Sequence, residues 1–193
     1  MRDCNAAAYH RVSNPQLEWG LPVLARLSLQ GHEFVLDVGC GTGRLTEKLI
    51  ERLPRGRVAA VDRSANMLAT AREYLLPRHA NTVTFVQADA AALPVAAIAD
   101  AVFSTATFHW VLDHARLFTS LFSALKPGGY LVAQAGGGPN LHRVHQRCAA
   151  IMSEPAFAPH FTRWSTPWEF ADAETTARRL RSAGFEAVET NVV

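Results

Sequence analysis

The chain lacks a long apolar run. Charge or glycine interrupts every hydrophobic stretch well short of the ~18 residues that a membrane-spanning helix needs. It also lacks a charge bias. A formal net charge of +2 is too weak to argue for nucleic acid or an anionic membrane surface as a partner. The opening, "MRDCNAAAYHRVSNPQ", has no apolar signal core, so nothing marks the chain for secretion. Cysteine is scarce and scattered: Cys4, Cys40 and Cys148, with no C-x-x-C pair, which fits a reducing, cytoplasmic setting. His142 and His145 are three apart but have no third ligand at a useful spacing, so no metal site is expected. Repeats and low-complexity linkers are absent. What is present is 193 residues, 49% hydrophobic, enough for one domain (1–193) with a substantial core.

The fold signal lies in the alternation of elements. Leu17, Leu21, Leu24 and Leu27 predict a helix over 16–30, with Pro22 inside it. "EFVLDV" (33–38) is a first buried strand, and a helix over 43–53 stops at Pro54. "RVAAVD" (57–62) is a second strand, and Ser64 caps the helix after it. Strands are predicted again at 82–88, at 100–106 and in "YLVAQA" after "KPGG". Between the last two, residues 113–125 carry an apolar stripe of Leu117, Phe118, Leu121, Phe122 and Leu125. Further helices are expected over 139–152 and from a Thr166-Pro167-x-Glu169 capping box to about Ser182. "FEAVETNVV" would begin a sixth strand, leaving the last strands of the sheet incomplete and a sheet edge exposed. Repeated strand–helix units with right-handed crossovers make an α/β, doubly wound, mostly parallel sheet with helices on both faces.

"VLDVGCGTG" (35–43) carries the functional signal. In such a sheet, ligands bind beyond the carboxyl ends of the strands, where this loop lies. Gly39, Gly41 and Gly43 let the backbone turn tightly and let a ligand lie close to it. A plain tight turn would not need three alternate glycines. A dinucleotide fold uses G-x-G-x-x-G, whereas the spacing here is G-x-G-x-G, and no Gly-Lys-Ser/Thr follows as in a P-loop. Asp37, two residues before the first glycine, would face a phosphate poorly and an ammonium well. Asp62 ends the second strand, where a carboxylate can accept both hydroxyls of a ribose; NAD-binding proteins share that feature. Asp89 ends the third strand and can accept from an adenine amine. An ammonium, a ribose and an adenine without phosphate describe S-adenosylmethionine.

"VLDVGCGTG", "VAAVDRSANML", "VTFVQADAAALP" and "LKPGGYLV", in that order and at those separations, resemble the class I S-adenosylmethionine-dependent methyltransferases. The resemblance is strong over 31–136. "TATFHWVLDHARLFTSLFSALKPGG" and "STPWEFADAETTARRLRSAGF" are similar to the trans-aconitate methyltransferase branch. The resemblance implies a Rossmann-like fold in which Asp37 and the backbone of Gly39 and Gly41 hold the methionine end of the cofactor. It implies that Asp62 binds the ribose, that Arg63 and Met67 flank the adenine, and that Asp89 and Ala90 read the adenine edge. Cys40 is the small residue usual in this loop, with no base paired to it. Thr105 would sit near the cofactor carboxylate or sulfonium. Tyr9 and Arg11 lie where an N-terminal segment (1–30) folds over the site, and residues 137–193 would supply the substrate side.

The reaction implied is methyl transfer to a small molecule, with carboxylate O-methylation suggested by the branch. His109 is the best-placed candidate for a base, but the reading preferred is that it lines the pocket or binds a substrate oxygen. Trp110 is expected to pack the pocket or core. His142, Arg143 and His145 are expected on a solvated helix face, and Trp164 and Trp168 in a lid or core. The rival readings are a non-catalytic S-adenosylmethionine-binding regulatory or partner protein and, against the loop spacing, an NAD-dependent oxidoreductase. No basic stripe and no Asn/Asp-Pro-Pro-aromatic tetrapeptide point to methylation of protein or nucleic acid. The expected partner is therefore a small molecule, with no nucleic acid or membrane, for a monomer or homodimer.

Overall fold

The computed structural model describes residue 6 and residues 14–192. Five parallel strands make one sheet: β1 (Phe34–Val38), β2 (Arg57–Asp62), β3 (Val83–Gln87), β4 (Ala99–Thr105) and β5 (Leu125–Gln134), in the order 3-2-1-4-5. The helices are α1 (Asn14–Leu24), α2 (Arg44–Glu51), α3 (Ala65–His79), α4 (His114–Ala124), α5 (His142–Met152) and α6 (Ala173–Ser182). The sheet order reverses between β1 and β4, which opens a crevice at their carboxyl ends.

Side chains alternate across each strand, so a run such as Val35-Leu36-Asp37-Val38 feeds two cores. Val35, Val58, Ala60 and Phe103 pack with Leu49, Ile50 and Leu53 at α2 and with Leu68 and Leu75 of α3. Leu36, Val38, Val61 and Val102 pack on the other face with Leu117, Phe118 and Leu121 of α4 and Leu180 of α6. That two-sided burial is why the strands read as nearly continuous apolar runs. No helix among the described residues is long and apolar enough to cross a membrane.

Four boundaries depart from the sequence reading. The first helix ends at Leu24 because the Arg52 guanidinium takes the Leu24 carbonyl, and the Leu27 carbonyl at 2.8 Å, turning the chain away. "KPGG" lies within β5 as a bulge: Leu125 pairs with Ala99 and Tyr130 with Ala101. The Thr166 capping box does not start a helix. Asp172 caps α6 instead, accepting the Thr175 N–H at 2.6 Å, while the Glu169 carboxylate is held by Arg179. The expected sixth strand is not formed over 185–192. Phe185 and Val188 pack on the second core, and Thr190 Oγ1 donates to the Ala173 carbonyl at 2.8 Å, so this segment folds onto the helices rather than along β5.

Candidate active site

The glycine loop is tied to the end of β2. Gly39 and Cys40 N–H groups donate to the Val61 carbonyl at 2.8 and 3.0 Å. Gly41 N–H donates to Asp62 Oδ2 at 2.9 Å, and Ser64 N–H to Asp62 Oδ1 at 2.9 Å. Ser64 Oγ in turn caps α3 through the Met67 N–H at 3.1 Å. Asp62 thus clamps the loop to the start of the next helix, a role its position in the sequence does not reveal. A carboxylate offers about four lone-pair sites, so the clamp is compatible with accepting ligand hydroxyls as well.

Two glycines serve different needs. Gly39 has φ +79°, and a Cβ there would stand 1.9 Å from Thr107 Oγ1. Gly41 has φ +55°, and a Cβ there would meet nothing within 4 Å. The first glycine admits a neighbouring side chain; the second leaves open space over the loop where a ligand can lie.

Asp37 points toward α2 from the end of β1. It is 3% exposed, and its Oδ2 accepts from Thr46 Oγ1 at 2.6 Å. Burial raises its pKa to about 7; the Thr46 hydroxyl works against the rise and the Asp62 charge adds to it. Cys40 is buried beside it, and burial, with the charges of Asp37 and Asp62, pushes its thiol well above the ordinary value. It stands as a neutral thiol, a poor nucleophile.

Met67 is buried early in α3, and Arg63 is exposed, its carbonyl accepting from Gln87 Nε2 at 3.2 Å. Asp89 is exposed at the end of β3, and its Oδ1 accepts the Ala91 N–H at 2.9 Å, starting a short turn in which Ala90 is buried. Thr105 closes β4, and its carbonyl accepts from Thr107 Oγ1 at 2.9 Å. Asp37, Gly39, Cys40, Gly41, Asp62 and Thr105 therefore converge at the ends of β1, β2 and β4. Asp89 and Ala90 lie farther out, at β3. Tyr9 and Arg11 lie outside the described residues.

His109 sits half-buried in the Phe108–Trp110 turn after β4, and its Nδ1 accepts the Gly136 N–H at 3.1 Å. Its ring lies 5.2 Å from Trp110 and 5.7 Å from Phe170, centroid to centroid. Trp110 is not packed in a core: it is 50% exposed and meets Trp168 edge-on at 6.3 Å. His142 and Arg143 lie on an exposed helix face as expected, and His145 on the same helix is partly covered. It stacks on Trp168 at 4.8 Å and on Phe170 at 5.7 Å, whereas Trp164 is exposed. Thr46, Thr107 and Phe170 were not singled out by the sequence. Thr107 and Phe170 are placed by contacts with residues far away in the chain, and Thr46 by its bond to Asp37 across the glycine loop; a lone hydroxyl or ring carries no local signature of such contacts.

Residues 35–129 match the family model described as a methyltransferase domain. Trans-aconitate 2-methyltransferase of Acidovorax ebreus is 37% identical over 134 residues, 69% of this chain and 50% of that protein. The enzyme of the same name from Paracidovorax citrulli is 36% identical over 188 residues, 95% of this chain and 65% of that protein. The chain carries a methyltransferase domain of the class I S-adenosylmethionine-dependent family. It spans between about half and two thirds of the length of these curated relatives. In fold it is similar to Haemonchus contortus phosphoethanolamine N-methyltransferase 2, solved with S-adenosyl-L-methionine. The TM-score is 0.73 at 22% identity, covering 95% of this chain and 42% of that one.

The site chemistry suits the family's cofactor. A ligand ammonium near Asp37 would meet a buried acid, and the open space over Gly41 admits a ligand chain. Gly39→Ala is expected to cost roughly 2–4 kcal/mol of stability, from left-handed backbone strain plus overpacking against Thr107. Adding Thr107→Ala should recover part of that loss, since it removes the Oγ1 and Cγ2 atoms in the way. Denaturant unfolding of both variants checks this; strictly additive losses would show that the two side chains do not meet.

Proposed function

We propose that this methyltransferase binds S-adenosylmethionine on the 39–43 loop and methylates a carboxylate oxygen of a small organic acid. The observation that carries the cofactor part is Asp62 clamping Gly41 and Ser64 beside the buried Asp37. The acceptor part is supported by the names of the relatives that align with most of the chain, both trans-aconitate 2-methyltransferases. Residues 31–136 hold the cofactor in this reading, and 137–182 contribute the acceptor side.

S-adenosylmethionine, when bound, supplies a methyl group already activated as a sulfonium. The chain's own residues bind, orient and keep water out. Asp37, with Gly39 and Gly41, takes the amino-acid end, and Asp62 accepts from the ribose hydroxyls. Arg63 and Met67 flank the adenine, Met67 offering a soft apolar surface, and Asp89 and Ala90 read its edge. Thr105 and Thr107 hold the wall between the loop and the turn carrying His109. Trp110, Trp168 and Phe170 form an aromatic flank that narrows access of water to the acceptor side.

Titration calorimetry with S-adenosylmethionine, S-adenosylhomocysteine and NAD is the direct test. Binding of the first two and not the third is expected. NAD binding without response to the methyl donor would overturn the proposal. Labelled-methyl transfer to a panel of small carboxylic acids, phenols and amines then decides the acceptor class.

A further inference from the structure

Two histidines near the site are held in one protonation form by donors that cannot accept. His109 Nδ1 lies 3.1 Å from the Gly136 nitrogen. A backbone N–H can only give its proton, so Nδ1 is the acceptor, and the proton of the neutral ring sits on Nε2. Nε2 is then a donor with no lone pair available to take a proton. To serve as a base, the ring would have to move its proton to Nδ1, directly against the Gly136 N–H.

The turn around His109 is held just as specifically. Arg179 Nη1 lies 3.0 Å from His114 Nδ1, and a guanidinium only donates. His114 therefore accepts at Nδ1, and its Nε2–H donates to the Phe108 carbonyl at 3.1 Å. Arg179 also grips Glu169 Oε1 with both terminal nitrogens at 2.9 Å, and the Glu169 N–H donates to the His109 carbonyl at 2.9 Å. Carbonyls 108 and 109 are thus tied to one guanidinium from two directions.

We infer that His109 is a fixed Nε2–H hydrogen-bond donor to an acceptor oxygen that already carries its charge, and that Arg179 is the residue positioning its turn. The inference rests on the methyltransferase reading above. A carboxylate lone pair forms the new O–C bond, the C–S bond breaks with its electron pair left on sulfur, and no proton moves. The elements packed about this turn carry His114 on α4, Glu169 before α6, Arg179 on α6 and His145 on α5, and of these His114 acts on the His109 ring. Burial, with His114 adding, holds the His109 imidazole below its usual pKa, so the ring stays neutral near pH 7.

Nitrogen-15 NMR of histidine-labelled protein reads the tautomer without any ligand. Nε2 protonated and Nδ1 unprotonated are expected for His109 at pH 7 and above; the reverse would overturn the assignment. In Arg179→Met the His109 signals should shift toward a mixture of tautomers, with partial return in Arg179→Lys. Unchanged signals would overturn the positioning role. With a carboxylic acid acceptor, His109→Gln should keep kcat/KM within about tenfold, while His109→Leu should lose roughly 10- to 100-fold, the effect of a missing bond to a charged group. A rate that rises through the imidazole pKa in the wild type and not in His109→Gln would overturn the donor role and leave the methyltransferase reading intact. Methylation of phenols or amines in place of carboxylic acids would overturn the donor role together with the carboxylate part of the proposed function, leaving cofactor binding and methyl transfer standing. If S-adenosylmethionine does not bind, that reading itself fails and takes the donor role with it.

Discussion

In Asp62→Ala, the affinity for S-adenosylmethionine is expected to fall on the order of 100-fold or more, well beyond the loss in Asp89→Ala. Asp62 accepts two backbone N–H groups, from Gly41 and Ser64, each at 2.9 Å. Such charge-assisted bonds contribute roughly 1.5–3 kcal/mol each. Removing the carboxylate releases a loop whose glycines sit at positive φ, so the cofactor would have to order it again on binding. On the proposed reading, the acceptor sites for the ribose would be lost in the same step. Asp89 is exposed, and its clearest role is to cap the short turn at Ala90–Ala92, which is worth about 1 kcal/mol. Its loss should therefore weaken binding by about tenfold at most. Calorimetric titration gives the two dissociation constants, and thermal melts of the ligand-free variants separate loop disorder from lost ligand contacts. Equal losses, or a larger one at Asp89, would show that one of the two acids has been misassigned.

Asp37→Asn should change ligand-free stability and cofactor affinity in opposite directions. The folded chain raises the Asp37 pKa from 3.8 to about 7, chiefly through burial. The native state therefore keeps a proton that the unfolded chain has already released. The resulting stabilisation is complete below the unfolded value near pH 4. It declines as pH rises toward 7 and is gone above, a span of about 4 kcal/mol. An asparagine carries no such charge to desolvate and can still accept from Thr46. At pH 8 the variant should be more stable than the wild type by a few kcal/mol, and at pH 4 nearly equal to it. Its affinity for the cofactor should nonetheless drop, because an amide cannot answer an ammonium as a carboxylate does. Urea unfolding across this range provides the measurement. Comparing variant with wild type isolates Asp37 from His109 and His114, whose lowered pKa values act in the opposite sense below about 6.5. A difference between the two proteins that does not change with pH would mean that Asp37 titrates normally.

Much of the fold was legible in the sequence because its signals are local. Alternation and apolar runs place β1 to β4 within a residue or two of where they form, and the stripe from Leu117 to Leu121 places α4. The spacing of Gly39, Gly41 and Gly43 and the acids at strand ends 37, 62 and 89 located the crevice, because in a doubly wound sheet the carboxyl ends of the strands share one edge. Contacts between distant residues carry no such signal. Arg52 reaching back to Leu24 and Leu27 shortened the first helix, and Asp172 rather than Thr166 began the last one. Asp62 as a clamp, Thr107 filling the space that Gly39 leaves, and the stacking of His145 on Trp168 depend on chain segments meeting only after the sheet has assembled. The same holds for His109. Its place after the fourth strand is written in the chain, but which of its nitrogens carries the proton was decided by a backbone N–H 27 residues away. Residue type and spacing determine which chemistry is available; the hydrogen-bond partners that select among its forms exist only in the tertiary structure.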